Sequence, residues 1–263
     1  MRPYLAMLRA RFRTLLQYRA AALAGFGTQL FWGLIRVMIF EAFYRSSTAP
    51  QPMSLENTVT YLWLTQAMFH LLPYRLDGDV MQMVRDGTVV YELARPVDLY
   101  WSWLSRTMAL RTAPTLLRAA PLVAIAVPFL GMRLPPSWAS FAAFAVSMAA
   151  AVLVTSTVST LAGITLLWTV SGQGVGTMLP VIVMFLSGSY VPLPLFPAWA
   201  QKILAVLPFS GIIDVPFRLW SGDIPPAQAP LLILQQVLWS VALALAGRWL
   251  LARGTRRLVV QGG

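Results

Sequence analysis

The chain has 263 residues, of which 58% are hydrophobic and 11% charged, and it carries a formal net charge of +11. A water-soluble domain would have roughly a quarter of its residues charged. With a mean hydropathy of +0.67, the composition therefore excludes a soluble fold and reads as an all-α polytopic membrane protein.

The positive charge does not point to nucleic acid. Fifteen of the twenty basic residues fall in three blocks: Arg2 to Arg19, Arg75 to Arg118, and Arg248 to Arg257. Pairs of apolar spans separate the blocks, which is the positive-inside pattern. It predicts all three on the cytoplasmic side, both termini included, facing anionic membrane lipid. The absence of cysteine removes disulfides and thiolate chemistry.

Residues 1–20 open the chain. Leu5, Leu8, Phe12, Leu15 and Leu16 recur at helical spacing, with Arg9, Arg11 and Arg13 largely on another side. This reads as an amphipathic helix in the membrane interface, or as a cytoplasmic extension of the first span. Residues 21–76 hold spans one and two. Span one, Ala21 to Phe43, contains Gln29, Trp32 and Arg36, with Glu41 near its outer end. A lipid-facing arginine in mid-span is costly, so Arg36 should face protein or water, with Glu41 as a counterion at imperfect spacing. Residues 45–56 form a polar external loop. Span two, Asn57 to Leu76, is ended by Pro73, and its periodicity places Trp63, Gln66 and the only histidine, His70, on one face. That face either lines a pathway or makes a helix–helix hydrogen bond.

Residues 77–106 concentrate five of the nine acidic residues: Asp77, Asp79, Asp86, Glu92 and Asp98. Asp77 or Asp79 caps a short helix that Gly87 stops, Thr88 to Ala94 forms a second short element, and Asp98 caps the helix leading into span three. Val89, Val90, Tyr91 and Leu93 would then be exposed between charges. The segment reads as a docking knob or as a solvated loop held by Trp101 and Trp103.

Residues 107–185 hold spans three to five. Span three carries Pro114, Pro121 and Pro128 and should kink, and an external turn, Gly131 to Ser137, follows. No charge occurs from Trp138 to Val191, enough for two spans turning at Ser171 to Gly176. Residues 186–226 are apolar, but Leu186 to Trp220 is broken by five prolines, Pro192, Pro194, Pro197, Pro208 and Pro216. They read as a helix that dips into the membrane from outside and returns, followed by an interfacial helix, with Trp199 and Trp220 at the outer headgroups. Residues 227–251 are span six and residues 252–263 a cytoplasmic tail. The count is six spans.

One histidine, one lysine and no cysteine leave little for nucleophilic or metal chemistry. There is no phosphate-binding Gly-Lys-Ser/Thr loop, and the scarcity of membrane carboxylates argues against an ion-driven carrier. A membrane-embedded lipid-modifying enzyme and a stand-alone secondary carrier remain the alternatives to a subunit driven from outside.

The run RDGTVVYELARPVDLYWSWLSR resembles the segment after the second span in ABC-2-type transporter permeases, through Gly87, Leu93, Arg95, Pro96 and Val97. A second stretch is similar to their external hairpin, through Phe196, Pro197, Trp199, Leu207 and Pro208. The resemblance implies one transmembrane domain over residues 1–263 that forms the permease of an ABC exporter in a bacterial cytoplasmic membrane. Two ATPase subunits would carry ATP and Mg, this chain would bind no cofactor itself, and its partner permease would be a second copy or a paralogue. Contact with the ATPase falls to Arg85, Asp86, Gly87, Val89, Val90, Tyr91, Glu92, Leu93, Arg95 and Pro96. Gln29, Trp32, Arg36, Trp63, Gln66, His70, Met178, Phe185 and Tyr190 are the candidate pathway residues. Some relatives export viologen-like organic cations. Aromatic and methionine side chains suit a drug-like, amphiphilic or flat aromatic substrate.

Overall fold

The computed structural model describes residues 2–17, 19–169 and 173–256. Among them the chain is helical, without strands. In order, the helices are α1 (Arg2–Leu16), α2 (Arg19–Ser46), α3 (Leu55–Ala67), α4 (Gly78–Arg85), α5 (Val89–Leu93), α6 (Leu99–Phe129), α7 (Trp138–Thr165), α8 (Gln173–Leu186), α9 (Ala198–Val206), α10 (Asp214–Ser221) and α11 (Ala229–Thr255). Four stretches, Gly25–Ser46, Leu99–Phe129, Trp138–Thr165 and Pro226–Thr255, are long and apolar enough to cross a membrane.

α7 is the centre of the bundle, packed on α6, α10 and α11, while α2 leans on α3 and α6. The amphipathic stretch does form a separate helix, α1, which lies along α6. Tyr18, between α1 and α2, is outside the described residues, as are Ser171, Gly172 and residues 257–263. α6 runs unbroken through Pro114, Pro121 and Pro128. Its start is set by Asp98, whose carboxylate accepts from the Trp101 N–H at 3.1 Å.

Two expected spans are shorter than their apolar stretches. α3 stops at Ala67, six residues before Pro73, and Phe69–Leu71 continue only as a 3₁₀ turn. Pro73 lacks an N–H and pushes Leu72 into extended conformation (ψ 144°), so the last turn tightens and ends early. Carbonyls freed in an apolar bundle need donors. Thr155 on α7 donates to the Leu71 carbonyl at 2.7 Å. Arg111, 2% exposed on α6, donates to the carbonyls of Leu72 at 2.9 Å and Arg75 at 2.6 Å. α8 has 14 residues, about 21 Å of helix, against a hydrocarbon core of about 30 Å.

The proline-rich region forms two short helices, α9 and α10, tied to α11. Gln236 donates to the carbonyls of Ser147 (3.1 Å) and Gly211 (2.6 Å), and Trp239 donates to Val206 (2.9 Å). Trp199 is exposed, but Trp220 is not an anchor at a surface. It is buried against Phe144, and its indole N–H donates to the Arg133 carbonyl at 2.9 Å.

Asp214 ties this region to α3. Its carboxylate accepts from the Leu193 N–H (3.2 Å), the Tyr61 hydroxyl (3.3 Å) and Arg218 (3.3 Å). Burial pushes this carboxyl up to about 6, against the downward pull of Arg218 and the Leu193 amide. Because burial already disfavours the charge, Asp214→Asn should be mild: its amide oxygen still accepts from Leu193 and Tyr61. Asp214→Ala should cost about 1–3 kcal/mol by stranding the Leu193 N–H. Thermal unfolding of the two variants checks this, and equal losses would show that the acceptor is not what holds this region.

Candidate functional site

Two regions stand out. The first is a cavity of about 620 Å³ between α2, the break after α3, α6 and the end of α8. On α2 it runs from Gly25 to Arg36, eleven residues or about 16 Å of helix. Its lining mixes apolar and aromatic side chains, among them Trp32, Phe69, Met184 and Tyr190, with the polar and cationic Gln29, Arg36, His70, Arg75 and Arg118.

The side chains are fixed by their helices. Arg36 donates to the carbonyls of Ser189 (2.5 Å) and Tyr190 (2.9 Å), just past the C-terminus of α8, where the helix dipole favours a cation. Gly188, at φ +83°, makes the turn that presents those carbonyls. Glu41 is not the counterion of Arg36; it pairs with Arg45 at 3.6 Å, the spacing of one helical turn. Gln29 Nε2 lies 3.3 Å from His70 Nδ1, and the Arg118 guanidinium sits against both ring nitrogens of His70. Gln29 Oε1 is buried with no partner among the described residues. Arg75 lies over the Tyr74 ring, 5.6 Å from its centroid.

Of the sequence candidates, Gln29, Trp32, Arg36, Gln66, His70 and Tyr190 line this cavity. Gln66 and His70 reach it across the α3 break rather than from one α-helical face. Trp63 does not line it: it is buried against Gly33, and its N–H donates to the Leu130 carbonyl at 2.9 Å. Met178 and Phe185 do not either. α8 turns Val183 and Met184 inward and leaves those two exposed on its other side. Sequence reasoning missed Arg75, Arg111 and Arg118 by assigning them to a surface block. Arg111 and Arg118, seven residues apart and therefore on one face of α6, were the available signal.

The second region is Asp77 to Asp98. Asp77 caps α4 by accepting from the Asp79 N–H at 3.0 Å, and Gly87 ends it at φ +70°. Val89 is fully buried, not exposed as the sequence suggested. With Val80 it seats the pair of helices on Tyr100, Trp103, Ile164 and Leu251. Glu92 is also buried. It pairs with Arg95 at 2.9 Å and with Arg106 of α6 at 3.3 Å. Tyr91 (73% exposed) and Leu93 (43%) point outward, with Arg85, Asp86, Gly87, Arg95 and Pro96 exposed around them and Val90 half-buried. Arg11 of α1 binds Asp79 at 2.6 Å, Tyr4 accepts from the Asp98 N–H at 2.9 Å, and Arg248 of α11 reaches Asp98 at 3.6 Å. The knob is thus braced by three helices.

A helical bundle with four membrane-length apolar helices, a polar cavity among them and a charged knob at one end has the build of a membrane transport protein. A family model described as ABC-2 family transporter protein matches residues 30–262. The chain belongs to that family and is a membrane protein. No curated protein and no solved structure matches it.

Proposed function

We propose that this chain is the permease subunit of an ATP-driven exporter, energised by separate ATPase subunits that dock on the α4–α5 knob. Family membership over residues 30–262 carries this reading, and the knob supports it: two apolar side chains, Tyr91 and Leu93, are held outward on a seat of buried ones. In this reading α2, α3 with its 3₁₀ turn, α6, α7, α8 and α11 make six crossings of a bacterial cytoplasmic membrane. Both termini and the knob lie inside, α1 lies in the interface, and the α9–α10 hairpin lies outside. Two ATPases supply ATP and Mg. The exposed apolar faces of α2 (Phe31, Met38, Ile39) and α8 (Met178, Ile182, Phe185) suit a second permease, identical or paralogous. Closure of the ATPases would displace α4–α5. Arg11 would pass the movement to α1 and the Glu92–Arg106 pair would pass it to α6, opening the cavity outward for an amphiphilic or aromatic substrate.

The test is co-expression with an ATPase subunit. Tyr91→Asp combined with Leu93→Asp should lower permease-stimulated ATP hydrolysis at least tenfold and abolish co-purification, while membrane insertion is unchanged. If hydrolysis and assembly both persist, docking lies elsewhere. If no ATPase associates with the native chain, the permease reading fails.

A further inference from the structure

We infer that the cavity receives the anionic group of an amphiphile: a carboxylate, sulfonate or phosphate on an apolar or aromatic body. This deepens the reading of the chain as a permease and rests on it.

The charge balance of the site carries the inference. Arg36, Arg75 and Arg118 line the cavity together with His70, and none of the described lining residues is acidic. The nine carboxylate side chains of the chain are engaged elsewhere. Glu41 pairs with Arg45, Glu56 with Arg133, Asp77 and Asp79 with Arg11, and Glu92 with Arg95 and Arg106. Asp98 pairs with Arg248, Asp214 and Asp223 pair with Arg218, and Asp86 accepts from Gln82. With no carboxylate in the described lining, the arginines give the cavity a positive potential, so an anion entering here is attracted and a cation repelled.

The lining also sets cations beside apolar and aromatic side chains. The Arg36 charge faces the α8 carbonyls beside Tyr190, while Arg75 and Arg118 lie by the rings of Tyr74 and His70, on both of which Phe69 packs. Arg111, behind the lining, adds positive potential and fixes the backbone at Arg75. Gly25 makes room for the charge: a Cβ there would come 2.7 Å from the Arg118 Cζ. The site therefore suits an anionic group carried on an apolar or aromatic body, the opposite charge to the viologen-like cations suggested by resemblance.

The test uses the purified full chain in phosphatidylcholine nanodiscs, with two probes of the same body and opposite charge. These are pyrenebutyrate and a pyrenylbutyl trimethylammonium salt, read by energy transfer from tryptophan. The anion should bind at least ten times more tightly than the cation. Arg75→Gln and Arg118→Gln should each weaken the anion at least fivefold, whereas Arg118→Lys and the remote Arg133→Gln should keep the preference. Arg75 is exposed, so its variant tests the idea even if Arg118→Gln fails to fold. A cation bound as tightly as the anion, no binding of the anion, or a preference unchanged by Arg75→Gln would overturn the inference. Binding needs no ATPase, so this failure is separable from failure of the permease reading. Adding phosphatidylglycerol identifies the source of the anion. Competition with the probe, and loss of the lipid adduct from Arg75→Gln in native mass spectrometry, assign the site to a lipid headgroup. Binding without competition assigns it to a soluble amphiphile.

Discussion

Replacing Trp63 by alanine is expected to cost about 3–5 kcal/mol, the range for removing a large buried aromatic side chain. The indole is 1% exposed, fills the space that Gly33 leaves on α2, and donates to the Leu130 carbonyl at the end of α6. It thereby joins α2, α3 and α6 at one point. The reciprocal change, Gly33→Ala, would place a methyl on the indole ring itself and should cost about 1–3 kcal/mol through overpacking. Small residues permit close helix approach in membranes, where packing rather than the hydrophobic effect holds helices together. Thermal unfolding in detergent, followed by tryptophan emission, checks both. The double variant should recover part of the loss, because the methyl then enters the space that the indole vacated. If Trp63→Ala unfolds within a degree of the native chain, α2 is not held through this contact.

Glu92→Ala is expected to uncouple the knob without disturbing the bundle. The carboxylate is buried and is the link from α5 to Arg106 on α6. Breaking a buried pair costs up to about 3–5 kcal/mol; here Arg95 is half in water, so about 2–3 kcal/mol is expected for the local structure. Backbone hydrogen exchange should accelerate across residues 88–94 while α3 and α7 keep their protection. Stimulated ATP hydrolysis by the assembled complex should fall at least fivefold. Unchanged exchange in α5 would show that Val89 and Val80 alone seat it.

Much of the knob was legible because its signals are local. Asp77, Gly87 and Asp98 act on groups within three residues of themselves, as caps and stops do anywhere. The inward turn of Val89 and Glu92 was not legible. A five-residue helix is too short to show a period, and both side chains are claimed by partners on α6. α1 was readable from its spacing, whereas its ion pair from Arg11 to Asp79 joins residues 68 positions apart. The same distinction explains the cavity. Arg36 was correctly expected to need a partner, but that partner is a pair of carbonyls 153 and 154 residues away rather than Glu41. On α8, one step of helix, about 100°, separates Met184 in the cavity from Phe185 outside it, and no feature of the sequence set that rotation.

The sequence by itself determined that this is an α-helical membrane protein with a capped, charged segment between apolar helices. Helix formation, capping and hydropathy depend on neighbours a few residues apart. Only the tertiary structure decided which carbonyls the early end of α3 leaves open, that Arg111 and Thr155 close them, and that Arg75 and Arg118 line a cavity with no carboxylate among its described lining residues. Those outcomes depend on hydrogen bonds and charges brought together from distant helices, and so on packing rather than on order along the chain.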